Sequence, residues 1–332
     1  MPTDWRSLHG TAFAGRRVLI TGGAGFIGSH LADALLALGA DVTILDDLSH
    51  GDRGHVPAGA RFIHASVLDA DRLADAIAGR ELVFHQAALG SVPRSVEQPA
   101  LYSRVNIDGT LAVLDAARRD GGVRLVAFAA SSSAYGDTDE LPKHEGMPPR
   151  PLSPYAATKV AGEALMHAYA ACYGLDTVSL RYFNIFGPRQ NANSAYAAVI
   201  AAFASRLLAG QRPVIFGDGS QSRDFTHVDN AVHANLLAAR QPRPLAGRVL
   251  NVATGHRVTV AELARTMSAL LGRPDLTPEH RPPRVGDVLH SQASIDAAAA
   301  VLGYRPIVSL ERGLEETLAW YRSAGGAQAT PG

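Results

Sequence analysis

Between residues 16 and 182 the chain alternates short apolar runs with longer stretches of helical period. The runs RRVLIT (16–21), DVTILD (41–46), RFIHA (61–65), ELVFHQ (81–86), VRLVAFA (123–129) and DTVSLRY (176–182) are rich in aliphatic and β-branched residues, which predicts strands. Between them, 26–38, 69–78, 98–119 and 153–173 place apolar residues three and four apart, which predicts helices. Strand and helix in alternation, joined by short links, predict a doubly wound parallel sheet covered on both faces. After residue 185 the pattern changes. Pro and Gly cluster at 187–189, 210–219 and 272–286, with shorter apolar runs between them. That predicts a smaller C-terminal α/β lobe, mainly 186–322, with some later segments returning to a first domain of 16–185. Residues 1–15 read as an N-terminal extension and 323–332 as a disordered tail.

Composition narrows the classes. At 332 residues with 47% apolar and 19% charged positions, the chain is long enough for one large core with an appended lobe. A formal net charge of zero argues against nucleic-acid binding through a basic surface. No apolar run approaches the ~20 residues that span a bilayer, and MPTDWRSLHG lacks the basic-then-apolar order of a secretory leader. The expectation is a soluble cytoplasmic protein with no membrane or nucleic-acid partner. The single cysteine, Cys172, excludes an intrachain disulfide and sits in an apolar helical pattern, so a buried thiol is expected.

The chemistry begins at TGGAGFIGSH, which follows the first strand and opens the first helix. Gly22, Gly25 and Gly28 recur every third residue, and Gly23-x-Gly25-x-x-Gly28 has the spacing of a dinucleotide fingerprint. Glycines there let backbone approach a pyrophosphate at a helix N-terminus, as in a Rossmann-type domain. Asp46 ends the second strand eighteen positions after Gly28, where a carboxylate bonds ribose hydroxyls and repels a 2′-phosphate. NAD is therefore expected rather than NADP, although nearby Arg53 leaves an opening for phosphate. Further on, AASSSAYGD (129–137) follows the fifth strand and SPYAATK opens the helix at 153. Tyr155 and Lys159, four apart, share one helix face. A phenol beside a cation is a plausible general base for a hydroxyl proton.

With these motifs, and with HQAAL, YSRVNIDGT, LRYFNIFGPRQ, SRDFTHVDN and RPPRVGDV in order from about 16 to 322, the chain resembles the extended short-chain dehydrogenase/reductase family. Within it the chain looks most like the nucleotide-sugar 4-epimerases, especially the branch acting on UDP-N-acetylhexosamines. The resemblance implies NAD that stays bound and is regenerated each turnover, and a UDP-hexose substrate. It implies that Gly22, Gly25, Phe26, Ile27 and Gly28 hold the pyrophosphate and Asp46 the adenosine ribose. Ser66 and Val67 would meet the adenine, Ser66 replacing the family's usual acid. Ala87, Ala88, Leu89 and Asn106 would line the cofactor path, with Tyr182 and Phe183 near the nicotinamide. Ser131 matches the catalytic hydroxyl and Tyr155 the base, with Lys159 lowering its pKa. Ser132 and Ser133 would line the sugar pocket. Asn184, Arg223, Arg284 and Asp287 would grip UDP, and Ala195, Tyr196 and Val199 would touch the nucleotide.

Neighbouring activities separate at the serines. Related 4,6-dehydratases carry an Asp-Glu pair where Ser132 and Ser133 stand, and UDP-glucuronate decarboxylases a glutamate at the position of Ser133. Ser291 stands where epimerases restricted to plain hexoses carry a bulky tyrosine, so it leaves room for a 2-acetamido group. UDP-GlcNAc/UDP-GalNAc and UDP-Glc/UDP-Gal are the expected substrates, with UDP-uronic acids (GlcNAcA or GlcA) as the alternative. A non-catalytic NAD-binding scaffold would lack Tyr155 or Lys159, and both are present. Thirteen histidines show no metal-ligand spacing, so no metal is expected. His227 and His233 are expected to be packing or surface residues and His85 to support the cofactor side. Finally, Leu111, Leu114, Leu165, Met166 and Tyr169 form a stripe on helices 98–119 and 153–173. The resemblance implies that this stripe pairs with a second copy in a homodimer.

Overall fold

A computed structural model describes residues 3–191, 199–283 and 289–325. Seven parallel strands form one sheet: β1 (Arg17–Thr21), β2 (Asp41–Asp46), β3 (Arg61–His64), β4 (Leu82–His85), β5 (Leu125–Ser131), β6 (Thr177–Tyr182) and β7 (Arg248–Val252). Across the sheet they run β7-β6-β5-β4-β1-β2-β3. The chain therefore winds outward from β1 through β2 to β3, then returns to place β4 on the other side of β1. Ligands in such sheets bind beyond the strand ends at that reversal. Four of the five residues of β1 and all of β4 are buried. This explains why these segments read as continuous apolar runs rather than alternating ones.

Six of the seven strands and the main helices fall within two residues of the sequence expectation. One correction concerns 98–119. It is not one helix but Pro99–Ser103, a five-residue π turn at Arg104–Asp108, and Gly109–Asp120. The wide turn swings Asn106 inward, and a Cβ on Gly109 would lie 2.8 Å from a Val67 methyl. A π turn in a helix frequently marks a functional site. The helix Pro154–Tyr173 is delimited as its sequence dictates. Ser153 caps it by accepting from Ala156 N at 3.2 Å, Pro154 sits in its first turn, and Gly174 ends it at φ 67°. At its middle, Gly162 lies flat on β5: an added Cβ would come within 2.5 Å of Phe128.

Two apolar layers cover the sheet. One contains the helices Phe26–Ala37 and Val228–Ala239, the other Ala70–Ile77, Gly109–Asp120 and part of Pro154–Tyr173. A separate cluster, with Phe203, Phe225, Met267 and Leu314, is the core of the C-terminal lobe. Cys172 is exposed rather than buried, because it falls on the outer face of its helix in the last turn. Leu114, Met166 and Tyr169 are buried within the chain's own second layer, which removes them from the expected pairing stripe. Leu111 remains exposed at 41%. No helix among the described residues is long and apolar enough to cross a membrane.

Candidate active site

A cleft of about 580 Å³ opens at the reversal between β1 and β4. The glycine turn forms its floor, and the glycines are there for space. A Cβ on Gly22 would lie 2.6 Å from Ala87 N, and one on Gly28 2.3 Å from Gly22 O. Such a cradle admits a diphosphate against the N-terminus of the helix Phe26–Ala37. Asp46, at the end of β2, accepts hydrogen bonds from Ala24 N at 2.9 Å and Leu48 N at 2.8 Å. It thereby ties the glycine turn to the rim on which it sits, and burial pushes its carboxyl up from the ordinary value. Arg53 stacks on the Phe62 ring at 4.4 Å, so its guanidinium is already engaged. The expected Gly22, Gly25, Phe26, Ile27, Gly28, Asp46, Ser66, Val67, Ala87, Ala88, Leu89, Ser131, Tyr155, Lys159 and Tyr182 all line this one cleft. The cradle and the carboxylate fit a dinucleotide such as NAD.

Asn106 and Phe183 stand behind the wall instead of lining it. Asn106 accepts from Leu89 N at 2.8 Å and donates to Leu89 O at 3.1 Å and to Thr158 Oγ1 at 3.0 Å. It fastens the loop after β4 to the helix Pro154–Tyr173, and the π turn points it there. Phe183 is fully buried against Tyr135, 6.0 Å between ring centres. Beneath the wall, His85 bonds Thr21 at 2.7 Å and Thr110 at 3.0 Å. Thr110 gives its proton to Asn106 O, so His85 donates from Nε2 and accepts at Nδ1. Burial holds its pKa down to about 3, so it stays neutral.

Three catalytic candidates meet at the carboxyl end of β5. Ser131 is its last residue, and Tyr155 and Lys159 come from the first turns of the following helix. Lys159 is 3% exposed and donates to Ala129 O at 2.7 Å, with its ammonium 4.8 Å from the Phe128 ring centre. Burial lowers it to about 7, against the pull of Glu163 one turn on. Burial raises the Tyr155 phenol, and a hydrogen bond with Ser131 opposes that rise. Lys159 lies 5.9 Å from the Tyr155 ring centre.

A second cavity, about 250 Å³, is lined by Asn184, Val199 and Arg223 together with apolar residues of the lobe, including Phe216 and Phe225. Ile185 lines both cavities and joins them. Three of the expected substrate residues therefore converge, while Ala195, Tyr196, Arg284 and Asp287 lie outside the described residues. Ser291 is buried; its N–H donates to Ser222 O at 3.0 Å, next to Arg223. Ser132 and Ser133 are half-buried on the short turn after β5, and Ser133 turns its hydroxyl to Ser131 at 2.9 Å.

The sequence reading missed Asp224. It is fully buried and accepts from Thr254 N and Oγ1, from Gly255 N and from Ala293 N. That one carboxylate fixes the Arg223 strand against the segment containing Ser291, and burial raises its pKa. Its signal was its place beside Arg223 in SRDF. The expectation for His227 and His233 holds in its packing form, both being buried; His227 also caps the helix Val228–Ala239.

Residues 18–253 match the NAD dependent epimerase/dehydratase family. The UDP-glucose 4-epimerase of Mycolicibacterium smegmatis is 40% identical over 314 residues, covering 92% of this chain and 99% of that protein. Among solved structures, the UDP-N-acetylglucosamine 4-epimerase from Methanobrevibacter ruminantium, in complex with UDP-N-acetylmuramic acid, is 40% identical. It superposes with a TM-score of 0.89, covering 94% of this chain and 99% of that one. The Thermus thermophilus UDP-glucose 4-epimerase, complexed with NAD, is 38% identical with a TM-score of 0.84, covering 93% and 99%.

Proposed function

This chain belongs to the NAD dependent epimerase/dehydratase family and is a UDP-sugar 4-epimerase; from that premise we propose that it inverts C4 of UDP-GlcNAc/UDP-GalNAc and of UDP-Glc/UDP-Gal. The observation that carries this reading is the distribution of acid groups around the cleft. Among its described lining residues the carboxylates are Asp46 and Asp47, both at the β2 end, while the reacting end holds Ser131, Tyr155 and Lys159. Dehydration needs a carboxyl group beside the sugar to move protons at C5 and C6, and Ser132 and Ser133 offer hydroxyls only. Oxidation and reduction at C4 need one base at the 4-hydroxyl, which Tyr155 supplies.

The glycine cradle and Asp46 would hold NAD, which would supply a reversible hydride acceptor for C4. Tyr155 takes the proton from O4 as that hydride leaves, so the sugar becomes a 4-ketone. Ser131 bonds the same oxygen and steadies the phenolate. Arg223 and Asn184 hold the UDP moiety in the second cavity, Arg223 through the match between guanidinium and phosphate oxygens. The hexose then turns over between the two cavities while its diphosphate stays fixed. Tyr155 returns the proton to O4 as hydride re-enters from the other face.

The Methanobrevibacter neighbour holds UDP-N-acetylmuramic acid, itself a 2-acetamido sugar, which supports acceptance of an N-acetylhexosamine. So does the small side chain of Ser291. The test is to incubate purified protein with UDP-Glc, UDP-GlcNAc and UDP-GlcNAcA separately, without added NAD, and follow C4 inversion by NMR. Inversion of the first two is expected. No inversion of any UDP-hexose would end the proposal, and inversion of UDP-GlcNAcA alone would replace it with a uronic acid substrate. The same reading takes the chain to be a homodimer through the helices of 98–119 and 153–173. Leu101, Leu111 and Tyr173, at 43%, 41% and 57% exposure, support an apolar contact there.

A further inference from the structure

Lys143 is bonded in two directions at once. Its backbone pairs with the segment that carries Ser291: its N–H donates to Gln292 O at 2.8 Å, and its carbonyl accepts from Ser294 N at 2.9 Å. Its ammonium, buried with the rest of the residue, donates to Gly136 O at 2.9 Å. Gly136 closes the short turn Ser132–Tyr135 that follows Ser131. A second tie runs beside the first. The Tyr135 hydroxyl donates to Asn251 Oδ1 at 2.7 Å, and Asn251 Nδ2 donates to Lys143 O at 3.0 Å and to Ser294 O at 3.1 Å. Asn251 is fully buried on β7, and its amide has its oxygen and both protons engaged. Burying an ammonium carries a cost that an apolar side chain of the same length would not. Here the charge strengthens a bond to a single carbonyl, the one that ends the serine turn.

We propose that Lys143, supported by Asn251, is a positioning residue for substrate choice: it sets the distance between the serine turn and the Ser291 segment, and so the width of the sugar pocket between them. This rests on the function proposed above, in which the serines face the sugar from its C4 side and Ser291 from its C2 side. A pocket of fixed width holds a plain hexose against both walls. When the clasp loosens, a plain hexose loses one wall, whereas a 2-acetamido group spans part of the gap. The loss therefore falls more heavily on UDP-glucose than on UDP-GlcNAc.

The experiment measures kcat/KM of the NAD-loaded enzyme on UDP-glucose and on UDP-GlcNAc. Lys143→Met keeps the length of the side chain and the backbone pairing but removes the ammonium. It should raise the ratio of kcat/KM for UDP-GlcNAc to that for UDP-glucose by about threefold or more. That ratio does not depend on how much of the preparation is active, so a merely structural role would leave it unmoved. An unchanged or lowered ratio would overturn the proposal. Should Lys143→Met fail to fold, Tyr135→Phe cuts the second tie and carries the same test with the same two outcomes. Ser291→Tyr separates this inference from the reading beneath it. If that variant spares UDP-GlcNAc, the placement of Ser291 itself fails; if it suppresses UDP-GlcNAc selectively while Lys143→Met leaves the ratio unchanged, only this inference fails.

Discussion

In the proposed mechanism Tyr155 loses a proton in a place where burial opposes ionisation, and a hydrogen bond with Ser131 reduces that cost. Removing the phenol oxygen should therefore remove the chemistry and leave the binding. Tyr155→Phe is expected to lower kcat by about 10²–10³-fold with little change in KM, checked by steady-state kinetics on UDP-glucose. Ser291 belongs to the same scale. Ser291→Tyr is expected to suppress turnover of UDP-GlcNAc by at least about tenfold while sparing UDP-glucose, since steric exclusion acts only on the larger C2 substituent. Equal loss on both, or none on either, would refute a gate. Tyr155 was legible in the sequence because its type and its spacing from Lys159 carry chemistry, and Ser291 only through the family resemblance. The tautomer of His85 and the reach of Asn106 were not, because each depends on partners from other strands and helices. Asp224 was hidden for the same reason: its acceptor bonds go to residues 254, 255 and 293.

The helix Pro154–Tyr173 shows how an element aims side chains. Ser153 and Pro154 set where it starts, and contact between Gly162 and the Phe128 ring sets how closely it lies on β5. Gly162→Ala forces a Cβ into that ring and lifts the helix segment carrying Tyr155 and Lys159. Expected results are a Tm lower by several degrees and a kcat reduced by about tenfold or more, read by calorimetry and kinetics on one preparation. Unchanged kcat alongside a lower Tm would show that the helix absorbs the insertion without moving its first turns. Strand and helix identities could be read from period alone, since long apolar patterns survive tertiary packing. The π turn could not: Arg104–Asp108 carries an ordinary helical pattern, and the widening comes from what Asn106 has to reach. β7 was missed because it returns to the sheet from beyond the start of the lobe.

At the scale of the molecule, the first described helix docks on the sheet's outer layer through buried histidines. His9 Nε2 and His233 Nδ1 are 3.0 Å apart; elsewhere, the half-buried His30 of the helix Phe26–Ala37 bonds Pro188 O at 3.0 Å. Burial lowers all three to about 4 from an ordinary value of 6.5. Folded stability from these groups is complete above pH 6.5. Between 6.5 and about 4 the unfolded chain takes up protons that the folded one refuses, so stability falls as the pH falls. Tm at pH 5 is expected to be about 5–10 °C below that at pH 7.5, with a shallower dependence in His233→Gln. Equal Tm values at both pH values would contradict this. The exposed position of Cys172 has a practical consequence. One thiol per chain, at the far end of the helix that begins beside the reacting centre, accepts a single maleimide dye about 25 Å along the axis from Tyr155. Each molecule then carries one fluorophore at a known address, and photobleaching steps count the copies in an assembly. Mutual quenching of two such dyes would report whether these helices lie side by side in solution.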